Sequence, residues 1–364
     1  MPEIRIALVG VGNCAAALVG GIEYHRRHPE ITAGLMHRDV GGYLPWDLRV
    51  VAAFDVDARK VGRPLEEALG APPNCVRPLC PDLPPSGVTV AMGPVLDGIA
   101  PHMADYPAER AFRAADREPA DVVRLLRETG AEILVSYLPV GSEEASRYYA
   151  QCCLDAGVSL VNCMPAFLVS DPEWGERFRR AGIPCVGDDV KSQVGATVIH
   201  RSLARLFSER GVRLERTYQL NTGGNTDFLN MLERGRLASK KVSKTEAVQS
   251  ALPEPLPADR IHIGPSDYVP WQEDNKVCFL RMEGVGFGGA PIELEARLSV
   301  QDSPNSGGVT VDAVRVCRVA RDRGEAGPLL PISAYAMKHP PVQMPEPEAR
   351  SRLEAWLAAG PPAP

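Results

Sequence analysis

The run I-R-I-A-L-V-G-V-G-N-C-A, residues 4–15, sets a short apolar segment, Ile4 to Val9, against two glycines and then a small, helix-compatible stretch from Ala15 to Ile22. Strand, tight glycine turn and helix in that order open a dinucleotide-binding unit. Gly10 makes the turn and Gly12 lets a pyrophosphate approach backbone N–H groups at a helix start. Ala15 stands where the third small residue of G-x-G-x-x-G/A belongs. The expected second strand, Val50 to Phe54, ends in Asp55, whose carboxylate can hold both ribose hydroxyls of NAD and would repel the extra phosphate of NADP. The acid normally follows the glycines by about twenty residues; here Gly34 to Trp46 is inserted ahead of the strand.

Downstream the alternation continues. Pro72 to Pro85 reads as a proline-rich surface connection, Ala120 to Glu128 as a helix and Glu132 to Tyr137 as a buried strand. L-P-V-G-S then leads into a helix from Glu143 to Ala156, and strands are expected at Val158 to Asn162 and Ile183 to Val186. Strands alternating with helices predict an α/β fold with a mostly parallel, doubly wound sheet. Beyond a helix from Val198 to Arg210, Leu214 to Leu220, Val277 to Met282 and Ile292 to Val300 show the two-residue alternation of an antiparallel sheet, so a second, α+β domain is expected. Thr310 to Arg323 returns to helical character, and the tail Ala358 to Pro364 reads as frayed.

A length of 364 residues suits about two domains. The net charge of -6 argues against a general attraction to nucleic acid or to an anionic membrane surface. There is no long uncharged apolar run, and Glu3 and Arg5 follow Met1 where a signal segment would be apolar, so a cytoplasmic protein is expected. Nine cysteines without a C-x-x-C pair read as free thiols; Cys152 and Cys153 are adjacent, and Cys75 and Cys80 lie in the proline-rich connection. His25 and His28 read as a solvated helix end.

Two polar stretches carry the chemistry. G-D-D-V-K-S-Q-V-G-A-T, residues 187–197, is a glycine-containing turn ahead of a helix. Its N–H groups can hold a phosphate with the hydroxyls of Ser192 and Thr197 and the charge of Lys191, or it is an ordinary capped turn. N-T-G-G-N-T-D-F-L-N-M-L-E-R-G-R-L-A-S-K-K-V-S-K, residues 221–244, concentrates amides, glycines, the carboxylate of Asp227 and three lysines. Gly223 and Gly224 let the backbone come close to a ligand, with Asn225 and Asn230 as polar neighbours. With Ser239 as helix cap, Lys240 and Lys244 share one face and Lys241 points elsewhere; two ammoniums converging on one spot call for an anion. The competing reading is a solvated basic turn.

Taken in order, V-G-V-G-N-C-A, F-D-V-D, L-V-S-Y-L-P-V-G-S-E-E, V-G-D-D-V-K-S-Q-V-G-A-T, G-G-N-T-D-F-L-N-M-L-E-R, S-K-K-V-S-K-T, H-I-G-P-S-D, D-S-P-N-S-G-G-V and M-K-H-P-P resemble the myo-inositol-1-phosphate synthases in their short actinobacterial and archaeal form. The resemblance covers nearly the whole chain. It implies a Rossmann domain over residues 1–197 completed by 310–364, and a catalytic and tetramerisation domain over 198–309 of a homotetramer. It further implies Lys240, Lys244, Lys276 and Lys338 as active-site lysines with Asp189 and Asp227 between cofactor and substrate. Asn13, Cys14 and Ser136 join Gly10, Gly12, Asp55 and Asp189 at NAD; Ser192, Gly195, Ala196 and Thr197 hold the substrate phosphate; and Asp302 is the candidate ligand for a metal cation.

The reaction implied is the closure of a hexose 6-phosphate, glucose 6-phosphate in most of the family, to 1L-myo-inositol 1-phosphate. NAD oxidises carbon 5, the ketone acidifies carbon 6, the carbanion attacks the carbonyl at the other end, and the stored hydride returns to carbon 5. Cys163, Thr222, Thr226, Pro270 and the region around P-H-M-A-D-Y-P depart from the family pattern. They leave room for fructose 6-phosphate, which the same chemistry would close to a five-membered cyclitol phosphate. A conventional NAD-dependent dehydrogenase and a catalytically silent NAD-binding protein are the other classes the residues allow.

Overall fold

The computed structural model describes residues 2–264 and 267–360. Pro265 and Ser266 of H-I-G-P-S-D, and residues 361–364 of the tail expected to fray, lie outside them.

A seven-stranded parallel sheet is built from β1 (Ile4–Val9), β2 (Leu48–Asp55), β3 (Ala91–Met92), β4 (Ile133–Ser136), β5 (Ser159–Asn162), β6 (Pro184–Val186) and β12 (Gly327–Pro328), in the order β12-β6-β5-β4-β1-β2-β3. Its strands are apolar on both faces, as two-sided helix cover requires: Ile4, Ile6 and Leu8 join one core and Ala7 and Val9 the other. The first core is closed by α1 (Asn13–Arg27) and the long α9 (Asp302–Asp322), the second chiefly by α3 (Val122–Glu128), α4 (Glu143–Ala156) and α5 (Pro172–Arg180). Short α2 (Leu65–Gly70) flanks the edge, and α10 (Leu330–Ala336) and α11 (Glu346–Ala358) extend the first layer.

Several expectations change on packing. Helix α9 starts at Asp302, eight residues before Thr310, because Pro304 sits in its first turn, where proline is tolerated, and the low helix propensity of Gly307 and Gly308 is overridden by packing on α1. The insertion at 34–46 is tied to that helix. Arg315, fully buried, donates to the carbonyls of His37, Arg38 and Tyr43 and to Asp312 at 2.5 Å. The proline-rich connection is clamped to the glycine turn, with Cys75 and Val76 N–H both donating to Asn13 Oδ1. At the end of α1, His28 is exposed but His25 is buried, with Nδ1 facing the Ile31 carbonyl.

The second sheet joins β7 (Arg213–Gly223), β8 (Ile261–Ile263), β9 (Asp267–Tyr268), β10 (Asn275–Val285) and β11 (Pro291–Gln301). The three long strands pair antiparallel, but β8 and β9 run parallel to β7, so the sheet is mixed. Helix α6 (Ala196–Glu209) covers one face through Ala204 and Phe207; α7 (Thr226–Asn230) and α8 (Ala238–Gln249) follow β7. All nine cysteines are free thiols.

Candidate active site

At the C-terminal end of the parallel sheet, β1 lies between β2 and β4, where the direction of winding reverses and a crevice must open. Gly10 there holds φ +86°, and a Cβ would stand 2.4 Å from the Tyr137 carbonyl oxygen, so only glycine fits. Gly12 caps α1 and faces open space. Asp55 accepts from the N–H groups of Val11, Val56 and Asp57 at 2.7, 2.7 and 2.8 Å, so it braces the loop as well as lining the crevice. Ser136 Oγ is buried without a hydrogen-bond partner among the described residues. Asn13 spends its side-chain oxygen on the proline-rich connection. Burial, with Asp274 and Asp302 nearby, pushes the Cys14 thiol up to about 12, which makes it a wall of the site and no nucleophile.

Gly12, Phe112, Tyr137, Leu138 and Pro139 line both this crevice and a deeper cavity of about 150 Å³. Lys240, Lys244, Lys276 and Lys338 converge on the deeper one. A larger cavity of about 620 Å³ on the outer side of α1 and β2 has no such convergence. Helix α8 presents Lys240 and Lys244 inward and leaves Lys241 exposed, as i, i+4 spacing requires. Its cap is Leu237; Ser239 lies in the first turn and donates to Glu143 Oε1 at 2.6 Å.

Three of the four ammoniums are paired. Lys240 Nζ meets Asp227 Oδ2 at 2.8 Å, Lys276 Nζ meets Asp302 Oδ1 at 3.1 Å, and Lys338 Nζ meets Asp189 Oδ1 at 2.8 Å. Lys244 is buried, and no hydrogen bond or ion pair holds it among the described residues. Burial, and then the charges of Lys240, Lys276 and Lys338, drive its pKa well below the ordinary lysine value, with Asp189 opposing. Lys240 goes the other way: burial is outweighed by Asp227 and Asp189. Burial would lift the Asp189 carboxyl, but Lys338 and Lys240 hold it below its usual range.

The turn that carries Asp189 (φ +62°) is fixed from behind. Asp188, fully buried, accepts from Asn162 Nδ2, the N–H groups of Leu168, Val169 and Ser170, and the Ser170 hydroxyl. The backbone of Lys338 and His339 bonds across to Asp189 and Asp188, so both members of the Asp189–Lys338 pair share one scaffold. Ser243 Oγ donates to Asp189 Oδ2 at 2.6 Å. Asn225 caps α7 and reaches Asp274, a buried carboxyl that also takes the N–H and hydroxyl of Ser303 and that burial and Asp302 raise to about 6.

Sequence reading singled out neither Asp188, Ser243 nor Asp274, since only long-range contacts distinguish them from other polar residues. It also assigned Gly223 and Gly224 to ligand approach. Their missing side chains instead admit the Phe228 ring and the backbone of Val269 to Glu273. Lys191 turns away from the expected phosphate site to Glu346 Oε1 and the Ala334 carbonyl, both at 2.8 Å. Ser192 lines the cavity, while Gly195, Ala196 and Thr197 are buried at the start of α6. Asp302 is already paired with an ammonium, and the described residues contain no cluster of three or more histidine, cysteine, aspartate or glutamate ligands. The donor set does not fit a metal cation.

A glycine-turn crevice sharing its walls with a lysine-rich cavity defines a cofactor-dependent enzyme acting on an anionic substrate. The family model described as myo-inositol-1-phosphate synthase matches residues 195–303. The inositol-3-phosphate synthase of Mycolicibacterium smegmatis is 54% identical over 98% of each chain. A solved structure described as that of Ari2 is 35% identical, with TM-score 0.78, over 98% of this chain and 99% of that one. A myo-inositol-1-phosphate synthase-related protein from Thermotoga maritima shares the fold at TM-score 0.83 and 24% identity, over 99% and 100% of the two chains. The chain belongs to the myo-inositol-1-phosphate synthase family.

Proposed function

We propose that the protein is an isomerising cyclase that converts glucose 6-phosphate to 1L-myo-inositol 1-phosphate with NAD as a recycled cofactor. The observation that carries this reading is the lysine set beside the glycine turn, in which Lys240, Lys276 and Lys338 are ion-paired with Asp227, Asp302 and Asp189 while buried Lys244 has no such pair among the described residues. Gly10, Gly12, Asn13, Cys14 and Asp55 line the space proposed for NAD, with Ser136 buried at the end of β4 and not among the lining residues, and the open space at Gly12 fits such a ligand. If NAD is held there, the chemistry it would supply is reversible hydride transfer at carbon 5.

The chain's own residues handle protons and charge. Lys244, held toward its neutral amine, is the group suited to accept the carbon 6 proton. Lys240, Lys276 and Lys338 supply cationic charge where oxyanions develop. Asp227 keeps Oδ1 buried and unpartnered among the described residues, an acceptor suited to a substrate hydroxyl. Ser192, with the start of α6 at Gly195, Ala196 and Thr197, is the proposed phosphate end.

Purified protein given NAD and one hexose phosphate at a time, followed by dephosphorylation and NMR of the products, should yield inositol from glucose 6-phosphate without net NADH. Of the departures from the family pattern, Cys163 and Thr226 line the cavity. A five-membered cyclitol from fructose 6-phosphate alone would transfer the same chemistry to that substrate, and stoichiometric NADH would indicate a dehydrogenase. Asp55→Ala is expected to weaken NAD binding about tenfold or more, because charge-assisted bonds to the ribose and the brace on Val11 both vanish. It should also narrow the preference over NADP. Calorimetry with both dinucleotides reads this, and unchanged affinity for NAD would remove Asp55 from the site.

No helix among the described residues is long and apolar enough to cross a membrane. The proposed homotetramer finds support in the outer face of the second sheet, where Leu220 pairs with Phe279 and both are exposed.

A further inference from the structure

Behind the glycine turn lies a charged group that the reaction leaves unused. Lys60 has no exposed surface, and its ammonium donates to the Val11 carbonyl at 2.8 Å and to Asn74 Oδ1 at 2.9 Å. Asn74 in turn donates through Nδ2 to the same Val11 carbonyl at 3.1 Å and to the Leu69 carbonyl at 3.0 Å. The N–H of Val11 is held from the other direction by Asp55. Both polar groups of one residue between the two glycines are therefore fixed by side chains from outside the turn.

The consequence follows from peptide geometry. The Val11–Gly12 bond is trans, so the Gly12 N–H points opposite to the Val11 carbonyl. With that carbonyl turned inward onto Lys60 and Asn74, the Gly12 N–H is turned outward, and Gly12 borders both the crevice and the deeper cavity with open space beside it. An ammonium one peptide group behind that N–H also polarises it toward an anion in front. Resting on the reading of this turn as the dinucleotide site, we infer that Lys60, seconded by Asn74, is a positioning residue that orients the Gly12 N–H for the cofactor pyrophosphate. Burying an unpaired cation is expensive; here Asp55 and Asp57 lie close enough to offset part of the penalty.

The test compares ligands with and without the pyrophosphate. Kd values for NAD, ADP-ribose and adenosine are measured on the full-length wild type and on Lys60→Met, by calorimetry for the first two and by competition for adenosine. The variant is expected to lose about tenfold or more for NAD and ADP-ribose, as for loss of a charge-assisted hydrogen bond, and less than about twofold for adenosine. Equal losses for all three ligands would mean general loosening of the turn, and no loss would mean that the ammonium is a passive filler; either result overturns the assignment. Wild type that binds no NAD would instead overturn the dinucleotide reading itself. Should Lys60→Met fail to fold, Asn74→Leu removes the second hold on the Val11 carbonyl, and the same comparison decides.

Discussion

Lys244→Met is expected to lower kcat by about a hundredfold or more while leaving the protein folded and at least as stable as wild type. A residue that packs a core destabilises when it is changed, but Lys244 holds no ion pair among the described residues, and its proton is disfavoured by burial and by three neighbouring lysines. Because its folded pKa is depressed, the unfolded chain binds the proton more tightly than the folded one in the pH window between that value and the ordinary one near 10.4. Stability therefore rises with pH across the window, and below it folding carries the full penalty. Methionine, of similar length and uncharged, removes both the slope and the penalty. Thermal unfolding at several pH values, beside the rate of cyclitol formation, measures the two effects on the same sample. A variant that loses activity only in proportion to a fall in melting temperature would make Lys244 a structural residue. Near wild-type turnover would return S-K-K-V-S-K to a solvated basic turn.

That pairing of Lys240 and Lys244 was legible because i, i+4 spacing is a local rule, and the first strand, turn and helix were legible for the same reason. Asp55 was found at the end of β2 although the insertion at 34–46 displaced it, since strand periodicity survives an insertion between elements. What escaped depends on partners far away in the chain. Lys191 and Ser192 are neighbours, yet one reaches Glu346 and the other faces the cavity. Asp188 and Asp189 are adjacent too, and only the fold shows the first as an internal anchor and the second as the partner of Lys338. The glycines at 223 and 224 signalled close approach correctly, but local sequence does not say whether a ligand or the protein's own backbone comes close. The start of α9 was hidden by Pro304, Gly307 and Gly308, whose weak propensity is outweighed by contact with α1.

Asp189→Asn is expected to reduce kcat by about a hundredfold or more and to destabilise the protein by about 3–5 kcal/mol near neutral pH. The amide keeps the shape and can still accept from Ser243, but it removes the carboxylate paired with Lys338 and one of the three, with Asp227 and Asp302, that hold Lys240 charged. Lys338 is already pushed down by burial, with Asp189 as its chief support. Without that support it releases its proton more readily, which caps the loss of stability and at the same time strips charge from the cavity. The pH dependence has a definite sign. The folded pKa of Asp189 is depressed, so its contribution is fully present above the ordinary aspartate value near 3.9 and fades as pH falls through the folded value. The gap in stability between wild type and variant should therefore close in acid and stay open at neutral pH. Adding Lys338→Met to Asp189→Asn removes the stranded ammonium and should recover most of the lost stability, since a buried pair replaced on both sides is often neutral. Activity should not return, because the cation that met the developing oxyanion is gone. Recovery of turnover in the double variant would show that the pair serves only to hold the turn after β6 against the segment after α10, and that the charge on Lys338 takes no part in the chemistry.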